Sequence, residues 1–314
     1  MMIALAFSLG ATASTAQVER TVAVTVDDLP GNRAGLVSLD LQHMRRTTQK
    51  LLEAFRRHDV PVVGMVNTRQ LLLQGEPKAA ARERLAIVEM WTAAGHEIGN
   101  HSHSHPDFNT TPRIDFQADV QRAEEEMARH LGTAKRMRFF RHPFLHVGLE
   151  LEKRRAFESW LTEAGYTIAP VTMDNDEYMY AAAYASALRQ GERDLARRLA
   201  DDYVRYMEQS IEFWERVEQH VVGRPIRHVL LLHVNDINAD CFDRLAVMMK
   251  RRGYRFITLD EALEDEAYSL PDDWVGRWGL SWLHRWGITA GKKRLADPDP
   301  PAWVAEAYAA RDSP

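Results

Sequence analysis

The stretch GNHSHSHPDF, residues 99–108, sets three imidazoles at alternate positions, His101, His103 and His105, and the earlier TVDD ends in two adjacent carboxylates, Asp27 and Asp28. An imidazole can ligate a metal or move a proton near neutral pH. If the histidine segment stayed extended, at about 3.3 Å per residue, His101 and His105 would stand about 13 Å apart, too far to share one ion. A helical turn after Asn100 would bring positions four apart to about 6 Å on one face, within reach of one metal at about 2.0–2.1 Å from each ring, with His103 pointing elsewhere. Pro106 disfavours a helical His105, so the turn is expected to end there. A catalytic centre then needs a third ligand, a carboxylate or another imidazole, and open positions for water and substrate. The acid pair can supply it, one carboxylate on the metal and the other taking a proton from water.

Two later segments add candidates. RFFRHPFLH (138–146) places Arg141 near the constrained Pro143, and LLLHVND (230–236) delivers His233 at the end of a very apolar run, where it could protonate a leaving group. Each has a plainer reading alone: turn-capping acids, a surface ion pair at Arg141, a hydrogen-bonded structural histidine at 233. His105, Asp107 and His233 would also suit the two-histidine, one-carboxylate pattern of non-haem iron sites. Their joint appearance in order is what weighs against the plainer readings, and the better use of Asp28 weighs against the iron pattern.

The surrounding pattern says what must position them. VAVTV (22–26) reads as a buried strand leading into the acids. Asp40 is a plausible N-cap for a helix carrying Leu41, Met44, Leu51, Leu52 and Phe55, and VPVVGMVN (60–67) reads as the next strand. The step repeats in WTAAGHEIGN, LTEAGYTIAPV and KRRGYRFITL, each a helix stopped by glycine and followed by a strand; IRHVLLLHV (226–234) adds one more. The alternation predicts an α/β fold with a mostly parallel sheet, open or closed into a barrel, whose strand ends carry the chemistry. Residues 193 to about 219 read as one long amphipathic helix inserted against that scaffold. Trp274, Trp278, Trp282 and Trp286 stand four apart and are expected to form a helical stripe packed on the domain; from ADPDPPAW onward the chain reads as a loose tail.

With 45% apolar and 27% charged residues, the chain has the balance of a folded globular protein. A net charge of −5, from 40 basic and 45 acidic residues spread along it, offers no basic stripe for nucleic acid. No run is long enough to span a membrane. Residues 1–16, MMIALAFSLGATASTA, read as a secretory signal remnant lacking the usual positive start, so the protein is expected to be periplasmic or secreted. Cys241, the single cysteine, sits on the apolar side of a predicted helix and is expected to be buried and inert.

The order TVDD, NHSHSH, FFRHPF, DNDEY, LLLH resembles the polysaccharide deacetylases of the NodB-homology type, carbohydrate esterase family four, over roughly residues 21–265. That resemblance implies a distorted (β/α) barrel of about seven strands, here with a helical insertion at 180–220 inside a catalytic domain at 21–268, followed by a Trp-rich extension at 269–314. It implies Asp28, His101 and His105 as ligands of a divalent metal, zinc by donor type, with Asp27 as general base and His233 as general acid. Arg141 would hold Asp27, Leu231 would line a pocket for the acetate methyl, and the backbone N–H of Phe144 would face the oxyanion. His142 and Leu145 depart from the usual third motif. The fourth motif usually ends in Asp-Trp, whereas DNDEYMY offers Asp174, Asp176 or Glu177; Asp176 is taken as the partner of Arg141. The implied activity is metal-dependent removal of N-acetyl, or O-acetyl, groups from an envelope or extracellular polysaccharide. The alternatives are hydrolysis of another C–N bond in a small cyclic amide or imide, and an inactive glycan-binding barrel.

Overall fold

A computed structural model describes residues 19–71, 73, 75, 77–131 and 137–312. The apolar segment 1–16 expected to act as a signal lies outside the described residues. Seven strands, all paired in parallel, form one sheet: β1 (Arg20–Leu29), β2 (Val62–Val66), β3 (Glu97–Asn100), β4 (Phe139–Phe140), β5 (Thr167–Ile168), β6 (Arg227–His233) and β7 (Tyr254–Ile257). Their order is β5-β4-β3-β2-β1-β6, and β7 lies along the first half of β1, where Arg20–Ala23 pair with Tyr254–Ile257. Just beyond β5, Met173 pairs with Leu230 of β6, which curls the sheet back on itself. The result is the distorted (β/α) barrel implied by the sequence.

Alternation along the strands explains its two layers of packing. Ala23, Val63, Met65, Phe139, Ala169 and Val229 meet inside the barrel, while Val22, Val24, Val26, Val62 and Val66 face the surrounding helices. Those helices include α1 (Leu41–His58), α2 (Lys78–Ala93), α3 (Arg113–Leu131) and α4 (Leu151–Glu163). Asp40 caps α1 as expected, its carboxylate accepting from the Gln42 N–H. The glycines predicted to stop helices, Gly95, Gly165 and Gly253, have φ of 87°, 77° and 86°, the left-handed conformation that such stops require.

The insertion is a pair of helices, α5 (Glu177–Arg189) and α6 (Arg193–Val221), with α6 matching the long amphipathic helix read from the sequence. After it come α7 (Asp236–Arg251), α8 (Leu259–Leu263), α9 (Trp282–Thr289) and α10 (Ala302–Ala309). Two expectations fail here. The four tryptophans do not share a helix, since α9 begins only at Trp282; Trp282 and Trp286 are buried while Trp278 is 66% exposed. Nor is the end a loose tail: α10 forms after Pro301 and buries Val304, so a proline-rich entry disguised a short helix. Cys241 is buried in α7, as expected. Among the described residues no helix is long and apolar enough to cross a membrane.

Candidate active site

Asp27, Asp28, His101, Arg141 and His233 lie at or just beyond the carboxyl ends of their strands, where barrels of this kind gather their chemistry. Asp27 and His233 are register partners on the neighbouring parallel strands β1 and β6, so their side chains emerge on the same face about 4.8 Å apart at the backbone. Regular alternation would send Asp28 to the opposite face. Instead the β1–β2 register shifts between Val26 and Leu29, and Asp28 has φ 67°, a local bulge that re-aims its carboxylate toward the same cleft. The Asn32 amide then holds it, Nδ2 donating to Asp28 Oδ2 at 2.7 Å.

The histidine segment achieves the same convergence without the helical turn expected for it. Residues 101–107 are irregular, with Ser102 at φ 66° and His105 at φ 56°. Asn100 anchors the bend: its Oδ1 accepts from the Ser102 N–H at 2.8 Å, and Ser102 Oγ accepts from the His105 N–H at 3.1 Å. The rings of His101 and His105 come to 4.8 Å edge to face. His103 turns away and is buried, with Nδ1 3.0 Å from both Thr68 Oγ1 and Glu126 Oε2, so it ties the loop to α3. Asp107 pairs with His146 at 2.8 Å and is not in the donor group that holds His105, so His105, Asp107 and His233 do not form the ligand set considered from sequence.

Among the described residues, Asp28, His101 and His105 form a group able to hold a metal, each offering one donor atom, all within 4.8 Å of one another. The Nε2 atoms of His101 and His105 each lie 3.8 Å from Asp28 Oδ1. Ligands about 2.1 Å from one tetrahedral ion stand about 3.4 Å apart, close to these two separations. The donor chemistry fits as well. His101 Nδ1 donates to the Arg141 carbonyl at 3.0 Å, which fixes the tautomer that turns Nε2 inward. Burial, and then the neighbouring His101, push His105 down to about 4 against the pull of Asp28 and Asp27, so its ring is neutral with a lone pair to give. Burial works against ionisation of Asp28, but His105, His233, His101 and the Asn32 amide together hold its carboxyl below the usual range.

Asp27 is 3% exposed and 3.7 Å from His101 Nε2. Arg141 is no surface residue: it is fully buried, its Nη1 lies 3.4 Å from both Asp27 oxygens, Nε donates to the Ala169 carbonyl at 2.8 Å and Nη2 to Thr25 Oγ1 at 2.8 Å. Asp176 is not among its partners, contrary to the assignment from sequence. It precedes α5 and its N–H donates to the Tyr206 hydroxyl at 2.8 Å. The fourth motif contributes Glu177 instead, 1% exposed, with Oε1 3.6 Å from His233 Nδ1 and Oε2 accepting the His233 backbone N–H at 3.3 Å; Asn235 Nδ2 donates to it too. Burial alone would lower His233, but the Glu177 carboxylate, then Asp28 and Asp27, raise it to about 9, so it is protonated at neutral pH. The acid-rich motif was visible in the sequence; which acid would turn inward was not.

Leu231 lies two residues before His233 on β6, 8% exposed. Phe144 has φ 57° and Leu145 φ 56°; the Phe144 ring sits 4.5 Å from that of His105. Gly279 backs this turn so closely that a Cβ there would fall 1.9 Å from the Phe144 carbonyl oxygen.

The polysaccharide deacetylase family model matches residues 14–167. A chitin deacetylase of Colletotrichum lindemuthianum is 23% identical over 269 residues, 84% of this chain and 92% of that protein. The fold resembles that of a peptidoglycan N-acetylglucosamine deacetylase, with 20% identity, a TM-score of 0.50 and coverage of 78% of this chain and 88% of the other. A pseudoenzyme of carbohydrate esterase family four from Bacillus anthracis matches with 16% identity, TM-score 0.46, covering 78% and 66%.

Proposed function

We propose that this chain, which belongs to the polysaccharide deacetylase family, hydrolyses N-acetyl groups on a polysaccharide with the help of a divalent metal held by Asp28, His101 and His105. The observation that carries the reading is the convergence of those three donors beside a buried Asp27 held by Arg141, with His233 across from it in register. Two imidazoles and one carboxylate suit zinc. When bound, such an ion lowers the pKa of water and polarises a carbonyl.

The protein's own groups divide the remaining work. Asp27, held by the Arg141 guanidinium, accepts the proton of the attacking water. The Phe144 N–H faces the carbonyl oxygen as charge develops on it, and Leu231 walls the space for the methyl group. His233, protonated through Glu177, gives its proton to the departing amine. Arg141 and Glu177 are positioning residues: they act through Asp27 and His233.

Acetate release by zinc-reconstituted protein from N- and O-acetylated glycans tests the reading. Wild type should release acetate and lose that activity on chelation; Asp27→Asn should lose at least about a hundredfold, the usual worth of a general base. Metal bound but no acetate released from any glycan would sink it. Ring-opening of small cyclic imides in that case would assign the site to another C–N bond.

A further inference from the structure

The cleft over the candidate metal group is a cavity of about 440 Å³, a volume suited to a short piece of oligosaccharide. Besides Asp28 and His105 it is lined by two arginines that the chemistry above does not use, Arg33 and Arg69. Each comes from a single 3-10 turn beyond a strand end, Arg33–Gly35 after β1 and Thr68–Gln70 after β2. Both turns are tied to the site. Asn32, whose amide donates to Asp28, also accepts from the Gly35 N–H at 3.1 Å, and the Arg69 N–H donates to the His103 carbonyl at 2.9 Å.

The charge inside this cleft is opposite to that of the protein. Overall the chain carries −5, yet Asp28 is the single acid lining the cavity, and it is committed to His101, His105 and Asn32. Neither guanidinium has an ion-pair partner among the described residues, and both arginines are exposed. A second group waits for a partner there: Asn67, 5% exposed and lining the same cavity, has an Oδ1 without a hydrogen bond. Solvated arginines on an outer face would need no explanation. Two that flank the reacting centre from adjacent strand ends form a fork suited to carboxylate or phosphate oxygens, with an amide beside them for a sugar hydroxyl.

We propose that this cleft selects a glycan bearing an anionic group close to the acetamide, bound by Arg33 and Arg69, an inference that rests on the deacetylase reading for its substrate but not for its test. Calorimetric binding to metal-free and zinc-loaded protein compares three ligands: a β-1,4-linked N-acetylglucosamine tetrasaccharide, the same chain with lactyl ether carboxylates on alternate sugars, and a 6-phosphorylated form. An acidic form is expected to bind about tenfold tighter than the neutral one at low salt, and the stronger of the two names the anion. Arg33→Gln with Arg69→Gln should erase that preference and leave neutral binding unchanged; both side chains are exposed, so the fold is retained. Equal binding of all three ligands, no binding of any, or a preference that survives the double variant overturns the proposal. Acetate release is read separately on the same ligands. Release without acid preference refutes the arginine fork and leaves the deacetylase intact, whereas acid-selective binding without release keeps the fork and refutes the deacetylase.

Discussion

Replacing Glu177 by Gln tests the tuning of His233, because the amide has nearly the shape of the carboxylate and removes its charge, along with one of the two oxygens that accept from Asn235 and the His233 N–H. In the wild type His233 titrates at about 9, raised first by Glu177 and then by Asp28 and Asp27 against the opposing effect of burial. Without the Glu177 charge, burial dominates and the group falls back toward its ordinary value near 6.5. A general acid works only while protonated, so activity is present below its pKa and lost as pH rises through it. At pH 8 a histidine titrating at 9 is about nine-tenths protonated, and one at 6.5 only about one-thirtieth, a loss of roughly thirtyfold; at pH 6 the two differ by less than about a factor of two. The assay is acetate release against pH for both proteins, reading kcat and kcat/KM. The variant should match wild type near pH 6 and fall away on the alkaline side, its upper limb displaced downward. An unmoved limb would refute the tuning, and an equal loss at pH 6 and pH 8 would reduce Glu177 to a structural bond with Asn235.

Three further outcomes follow from the same structure. His101→Gln should abolish stoichiometric zinc binding, measured by metal analysis after dialysis, whereas His103→Gln should keep zinc but lower stability by about 1–3 kcal/mol in urea unfolding, since it leaves the buried Glu126 without its histidine partner. Burial, and then the neighbouring Asp176 and Asp297 carboxylates, raise Asp174 to about 7. Its folded pKa therefore lies above the unfolded value near 3.8, so the folded state binds the extra proton and stability falls as pH rises from about 4 to 7; Asp174→Asn should be more stable than wild type at pH 8 and gain nothing at pH 4, as read by thermal unfolding.

Much of the scaffold could be read from the chain because its signals are periodic. A central strand buried on both faces must be mostly apolar or β-branched, as VAVTV is, and a helix returning to a parallel sheet needs a left-handed stop, which Gly95, Gly165 and Gly253 advertise. The ligand types at the site were legible for a different reason: few residues besides histidine and aspartate can do that work. The path that brings them together was not. Six non-glycine residues have positive φ among the described residues, Asp28, Asp59, Ser102, His105, Phe144 and Leu145, and five of these, all but Asp59, lie in the site loops. Propensity argues against that conformation at about 1–2 kcal/mol each, so a reader of sequence looks for a helix instead, as happened at His101–His105. The structure supplies what holds these residues there: Asn32 on Asp28, Asn100 on Ser102, Ser102 on His105, and Gly279 leaving room only for a close-packed backbone at Phe144. Three of these contacts are local, from Asn and Ser two to four residues away, types that serve any turn, and only Gly279 comes from far along the chain, so none of them by itself marks which residue takes the strained conformation. The same holds for Glu177 against Asp176, where one residue along the turn into α5 decides that the Glu177 carboxylate meets His233 while the Asp176 N–H meets the Tyr206 hydroxyl. Strain concentrated in the turns that carry Asp28, His105 and Phe144 costs stability that only a rigid, specific set of contacts offsets, and it gathers at the candidate site instead of in the connections between helices.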